Sequence, residues 1–197
     1  MYYWRKLSPE QRTQVLNLRQ AQHRPWHSPP HNIGGGRFLL SATCYQHSSV
    51  IGATWKRMAN FENQLLETLE ANISAACAWV VLPNHYHVVA CADNIKPVLK
   101  ALSCLHGRTS FAWNGEEKRR GRKVWASTVD TKLKSERHFR ATINYTHHNP
   151  VKHGYAEKWT DWPFSSAKSY FETVGREEAI RHWQEYDISS MGDTWDP

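Results

Sequence analysis

Residues 78–90, AWVVLPNHYHVVA, form a Val-rich apolar run, and the rest of the hydrophobic pattern is arranged around it. Read as a strand, the run alternates between faces, so His85 and His87 point one way and Tyr86 the other. Pro83 interrupts it and donates no ladder hydrogen bond, which predicts an edge or a bulge there. Upstream, residues 37–45 alternate as a first strand. Phe61, Leu65, Leu66, Leu69 and Ile73 then recur at helical spacing across residues 60–76, with charges and amides between them. Strand, crossover helix and strand make an α/β unit.

A second helical pattern, residues 95–105, gathers Val98, Leu99, Leu102 and Leu105 on one side. Asn114-Gly115 beyond it is a turn signal, predicting a hairpin tip that carries the basic residues after it. Residues 125–133 read as another strand and residues 134–149 as a third helix. Ser135 suits the cap of that helix and Glu136 the positive end of its dipole. Its apolar face is Phe139 with Ile143, seconded by Thr146. Tyr145 and Asn149, four apart, share a neighbouring face, from which His147 and His148 diverge. Pro150 disfavours helical geometry at Asn149 and places that amide at or near the last turn.

At the other end, Ser8-Pro9-Glu10-Gln11 reads as a helix start with Gln11 completing a capping box. That helix should fade before residues 24–36, where Pro25, Pro29, Pro30 and three glycines oppose regular structure. The expected organisation is an N-terminal extension (1–35), whose Trp4, Trp26, His27 and His31 are read as docking on the core in preference to touching nucleic acid, a core domain (36–172) and a polar tail (173–197). No internal repeat is present.

Charge narrows the function classes. Lys and Arg number 25 against 18 Asp and Glu, a formal charge of +7, alongside ten tryptophans and eight tyrosines. Positive charge attracts a phosphate backbone and aromatic faces stack on unpaired bases, so the balance suits nucleic acid as well as an ordinary basic protein. Lys118, Arg119, Arg120, Arg122 and Lys123 form the densest cluster and are the candidate phosphate contacts. The four cysteines, Cys44, Cys77, Cys91 and Cys104, form no CxxC pair, which argues for buried reduced thiols rather than a zinc ribbon or a redox motif. No secretory apolar core and no membrane-spanning run is visible, so the expected location is cytoplasmic.

His85, His87, Tyr145 and Asn149 supply the parts of a metal-assisted phosphodiester transesterase. Two imidazoles and an amide oxygen can hold a divalent cation with open positions, and a phenol with pKa near 10 becomes a useful nucleophile beside such a charge. Each residue also has an ordinary use: a satisfied core histidine, an interface tyrosine, a helix end. His147, His148 and His153 lie near the nucleophile and are candidates for proton transfer, phosphate binding or neither. Two rival functions share the pattern. One is a non-catalytic single-stranded nucleic-acid-binding module; the other is a histidine-metal hydrolase that uses activated water.

Three segments carry a family resemblance. LPNHYHVV resembles the HUH motif (His, bulky hydrophobic, His) of single-tyrosine transposases, INYTHHNPVKHGY resembles their nucleophile helix, and DWPFSSAKSY resembles the Trp-Ser-Ser-Tyr segment that follows. Together they resemble REP-associated tyrosine transposases, relatives of insertion-sequence transposases, over roughly residues 37–172. The resemblance implies a ferredoxin-like α/β (α+β) sandwich, with an antiparallel sheet and helices packed on one face; the N-terminal helical extension read above lies outside the resemblance. The motifs further imply a DNA endonuclease and strand transferase working on single-stranded or hairpin DNA, as monomer or homodimer, in transposition, recombination or domesticated repeat processing. By motif, His85, His87 and Asn149 would bind Mg2+ or Mn2+, Tyr145 would form a 5′-phosphotyrosine, and Lys152 of the Asn-Pro-Val-Lys run joins the DNA contacts. Tyr86 and Thr146 depart from the motif's usual aliphatic residues. Tyr86 is thereby a second candidate nucleophile, although strand alternation turns it away from the metal.

Overall fold

The computed structural model describes residues 35–188 together with Ser8, Glu10 and Gln14. The chain divides into two units, residues 1–31 with 192–197 and residues 32–191. In the first, Glu10 and Gln14 are helical and the Ser8 hydroxyl donates to the Glu10 carboxylate at 2.6 Å. The expected capping box at Gln11 and the docking of Trp4, Trp26, His27 and His31 fall outside the described residues.

In the second unit the element order is β1 (Gly36–Thr43), α1 (Trp55–Glu70), β2 (Ala75–Val81), β3 (His85–Ala92), α2 (Ile95–Glu116), β4 (Val129–Lys132), α3 (Glu136–Lys152), α4 (Ala167–Val174) and α5 (Arg176–Glu185). The strands form one sheet in the order β2-β3-β1-β4, antiparallel throughout. Two βαβ-type halves interleaved in this order are the ferredoxin-like arrangement. The expectation of helices on one face holds for α1 and α2 alone.

Strand alternation explains why. Phe38 and Leu40 of β1 and Tyr86, Val88 and Ala90 of β3 enter the main core with Met58, Phe61, Leu65 and Leu69 of α1 and Val98, Leu102 and Leu105 of α2. Leu39 and Val89, one residue out of phase, join Ala78, Leu133, Phe139 and Ile143 in a second cluster. The α3 helix therefore packs on the opposite face of the sheet, the face to which His85 and His87 belong. Helix α5, inside the stretch expected as a tail, joins this layer: the Asn144 side-chain amide donates to the carbonyls of His182 and Tyr186, both at 3.0 Å.

Several expected boundaries move. The run 78–90 is a hairpin: Leu82 N–H donates to His85 O at 2.8 Å, and Pro83-Asn84 turn the chain. Proline presets φ for the first central turn position, so Pro83 breaks the strand instead of sitting at its edge. Helix α1 stops at Glu70, where the Asn72 side chain donates to Thr68 O at 2.8 Å, and the residues after it enter β2. Asn114-Gly115 makes no hairpin tip but lies in the last turn of α2, where Asn114 donates to Arg122 O at 2.7 Å and accepts from Arg122 Nε at 2.9 Å. Of the expected strand 125–133, residues 129–132 pair continuously with β1, while Trp125 makes an isolated antiparallel bridge to Cys44 and its side chain enters the main core. Pro150 lies within α3, which ends at Lys152. The Ser135 cap is present, accepting from His138 N–H at 3.1 Å.

The cysteines are free; Cys44 is buried as expected, Cys77 and Cys91 are half-buried, and Cys104 is exposed. The segment after α3 seals the edge of β2: Val81 N–H donates to Phe164 O at 2.8 Å, Trp162 Nε1–H to Val81 O at 2.8 Å, and Ser166 N–H to Trp79 O at 3.0 Å. An edge strand so covered is protected from pairing with another chain.

Beneath β3, His106 stacks on Trp125 at 4.2 Å and its Nε2 meets the Tyr86 hydroxyl at 3.1 Å. Burial pushes its imidazole down to about 4 from an ordinary 6.5. The native state refuses a proton that the unfolded chain accepts, so stability is full above pH 6.5 and is lost between pH 6.5 and about 4, by up to about 3 kcal/mol. Urea unfolding at pH 7 and pH 5 should reveal this loss, and His106→Phe, which keeps the stacking, should shrink it. An undiminished pH dependence in the variant would assign the effect elsewhere.

Candidate functional site: a histidine pair facing a tyrosine helix

β3 and α3 bring together four side chains far apart in sequence. Tyr145, Asn149 and His153 recur every fourth residue and so form one stripe of α3 and its C-terminal cap. Asn149 Oδ1 lies 3.0 Å from His85 Nε2, the Tyr145 ring lies 5.6 Å from the His87 ring, and the His153 ring lies 5.0 Å from that of His85. The two strand histidines are themselves 5.1 Å apart, edge to face. All of this is interior: His85, His87, Tyr145 and Asn149 are at most 3% exposed.

Outer partners orient both imidazoles. His85 Nδ1 lies 2.7 Å from Asn84 Oδ1, and Asn84 Nδ2 donates to His47 O at 3.4 Å, which fixes Oδ1 as the atom facing the ring. Nδ1 must then donate, and a neutral His85 presents a lone pair at Nε2. Facing that lone pair is Asn149 Oδ1, another acceptor. The 3.0 Å separation is bridged by a hydrogen bond if the amide turns its NH2 to the ring, or by a cation held between the two acceptors. On the second histidine, Ser41 Oγ of β1 lies 2.6 Å from His87 Nδ1 and directs Nε2 outward. Among the described residues no three or more of His, Cys, Asp and Glu are grouped to hold a metal ion. The donor set available is two imidazoles and an amide, which can hold a divalent cation when water and phosphate oxygens complete the shell.

Tyr86 is on the opposite face, fully buried, and burial raises its phenol well above the ordinary value of 10. His147 is buried rather than exposed. It meets Ser166 Oγ at 2.9 Å, and its imidazole is pushed down to about 3, which makes it a neutral structural residue. His148 packs on Trp183 at 5.1 Å.

The basic residues separate into two kinds. Arg122 is half-buried and paired with Glu117 at 2.7 Å, which also binds Arg57 at 2.5 Å. Lys118, Arg119, Arg120 and Lys123 are exposed. Arg120 rests over the Phe111 ring at 4.3 Å and donates to its carbonyl at 2.8 Å. Lys123 Nζ lies 4.9 Å over the Tyr45 ring, and Cys44 N–H donates to Asn84 O at 2.7 Å, so this loop reaches the His85 end of the sheet. Lys152 is exposed, its Nζ 5.4 Å from the Tyr145 ring centre.

Sequence reasoning missed Ser41, Asn84 and the Tyr45–His47 turn. Ser41 becomes visible only through its strand partner, since it pairs with His87. Gln46 and His47 adopt φ of 59° and 52°, a left-handed conformation unusual outside glycine that accumulates at functional sites.

The fold and this site define a class: ferredoxin-like α+β domains in which a strand-borne histidine pair faces a tyrosine on a packed helix. No family model matches the chain. It is 25% identical over 145 residues to the REP-associated tyrosine transposase of Escherichia coli (strain K12), covering 62% of this chain and 81% of that protein. It also matches a solved structure of a REP-associated tyrosine transposase bound to a REP hairpin, with a TM-score of 0.58 at 19% identity, over 88% of this chain and 95% of that one. The first is a likeness of sequence and the second one of fold. The sequence likeness extends the resemblance to REP-associated tyrosine transposases beyond the three motifs. Among the described residues no helix is long and apolar enough to cross a membrane.

Proposed function

We propose that the chain is a metal-dependent single-stranded DNA endonuclease and strand transferase, acting on hairpin or palindromic repeat DNA through a 5′-phosphotyrosine at Tyr145. The observation that carries this reading is the convergence of Asn149 on His85 and of Tyr145 on His87 across one face of the sheet. The curated relative's name and the hairpin bound in the matched structure support DNA as substrate.

In this mechanism His85, His87 and Asn149 would hold Mg2+ or Mn2+, which would supply Lewis-acid polarisation of the scissile phosphate and a charge that favours the phenolate. Tyr145 Oη attacks phosphorus as its proton departs to solvent; the P–O3′ bond breaks, and the released oxygen takes a proton to become a 3′-hydroxyl. The reverse attack by a 3′-hydroxyl rejoins the strand with no nucleotide cofactor. Tyr145 is 1% exposed, so its ring must leave the His87 contact to meet a phosphate. Lys152 lies where it stabilises negative charge on the phenolate or phosphate, and Lys118, Arg119, Arg120 and Lys123 hold the backbone.

Incubation with a labelled single-stranded hairpin and Mn2+, read on a denaturing gel with mapping of the modified tyrosine, tests the proposal. A covalent shift mapped to Tyr145 is expected. Binding without adduct under any divalent ion would assign the chain to non-catalytic nucleic-acid-binding modules, and cleavage without adduct would assign it to hydrolases. Ser41→Ala tests the metal separately: loss of the bond that orients His87 should weaken Mn2+ affinity about 10- to 100-fold by titration calorimetry. Unchanged affinity would remove His87 from the ligand set.

A further inference from the structure

Toward the end of β3 away from His85, Cys91 meets Cys77 of β2 with their Sγ atoms 3.7 Å apart. Both thiols are free and half-buried, so small molecules reach them. The sheet makes this contact. Ala75 is the ladder partner of Cys91, and the register shifts between Ala76 and Ala78, which makes Cys77 the extra residue of a bulge. A regular ladder would hold residue 77 diagonally across from Cys91 at about 7–8 Å between Cα atoms, at or past the reach of a disulfide. A bulge bends its strand and re-aims a side chain, and this one brings the two sulfurs together. Arg37, the β1 partner of Cys91, and Arg140 of α3 supply positive charge beside the pair, and both are tied to Glu136. The other two cysteines are placed differently: Cys44 is buried in the main core and Cys104 is exposed on α2.

We propose that Cys77 and Cys91 form a reversible cross-strand disulfide when the folded chain meets a small-molecule disulfide. Nearby cations favour the thiolate, the form that attacks a disulfide sulfur. Burial pushes the Cys77 thiol up to about 12, Cys91 beside it adds to the rise, and the two arginines oppose it. The first attack therefore falls to Cys91. Its Sγ, as thiolate, attacks one sulfur of the reagent, whose S–S bond breaks and releases one small thiol, leaving a mixed disulfide. Capped in this way, Cys91 carries no charge, and its part of the rise at Cys77 disappears. Cys77 then loses its proton to solvent and attacks Cys91 Sγ, expelling the second small thiol. Two protein thiols are oxidised and one disulfide is reduced to two thiols. The new bond closes residues 77–91 into a loop that contains His85 and His87, so the hairpin bearing the candidate site is tied covalently at its open end.

The test incubates the full folded chain with oxidised glutathione, quenches with acid, alkylates the remaining thiols in denaturant, and maps peptides by mass spectrometry without reduction. The Cys77–Cys91 pair should be the dominant protein disulfide, with Cys44 unmodified and Cys104 carrying at most a glutathione cap. Dithiothreitol should restore both thiols. Unfolding supplies the control, because Cys91 is even closer in sequence to Cys104 than to Cys77, which is 14 residues away. In urea the two closures should become about equal, whereas the fold should favour the Cys77–Cys91 bond by about 10-fold or more. Cys77→Ser should stop at a glutathione adduct on Cys91, and in Cys91→Ser the capping of Cys77 should be slower by about 10-fold or more. A folded-state map without the Cys77–Cys91 peptide, or with no more of it than in urea, would overturn the disulfide. Capping of Cys77 in Cys91→Ser as fast as that of Cys91 in Cys77→Ser would overturn the order of attack. None of these readouts involves DNA or metal, so the Tyr145 adduct assay stands or falls separately.

Discussion

Tyr145→Phe is expected to abolish covalent attachment to hairpin DNA in the Mn2+ gel assay and to leave noncovalent hairpin binding largely intact. The substitution removes one oxygen. The ring keeps its place 5.6 Å from His87 and beneath Lys152, so neither the packing of α3 nor the nearby charge changes. Tyr86→Phe is the matched control. Its hydroxyl lies on the far face of the sheet against His106, and its loss should cost about 1 kcal/mol of stability with adduct formation retained. Adduct persisting in Tyr145→Phe and vanishing in Tyr86→Phe would reverse the assignment, and that outcome would also require β3 to turn over, since the Tyr86 hydroxyl meets His106 on the face of the sheet opposite His85 and His87.

Most of this site was legible in the sequence because it is written in two periodicities. Alternation placed His85 and His87 together and Tyr86 opposite, and the four-residue interval placed Asn149 one turn beyond Tyr145. What failed was local punctuation. Pro83-Asn84 is a turn that divides the apolar run into two strands, and Asn114-Gly115, a turn signal in isolation, is absorbed by a helix whose side chains reach forward to Arg122. Partners across the sheet were beyond reach for a different reason. Ser41 meets His87 only because β1 lies between β3 and β4, a register that no local pattern encodes. Likewise His147 reads as one more histidine on a basic helix until Ser166, in the strap along β2, is seen to cover it.

Truncation of Phe61 to Ala should give the largest stability change in the domain, about 3–5 kcal/mol, because a fully buried aromatic leaves a cavity that its neighbours fill only in part. The neighbours are themselves rings: Tyr86 at 5.7 Å, Trp113 at 5.7 Å and Trp125 at 5.3 Å. Rings of this size cannot collapse into the space without leaving their own rotamer wells, so little of the cost is recovered. For a domain of this size the loss corresponds to a fall in midpoint temperature of roughly 6–20 °C, measurable by circular dichroism. A fall under about 2 °C would mean that the cluster repacks freely and that Phe61 is not its centre. The consequence reaches the site through Tyr86, which anchors the middle of the HYH run from below. With that anchor loosened, the angle at which His85 and His87 leave the sheet rests on side-chain contacts such as Ser41, Asn84 and Asn149 and on the ladders to β1 and β2. Mn2+ affinity should therefore drop in Phe61→Ala even at temperatures where the chain stays folded.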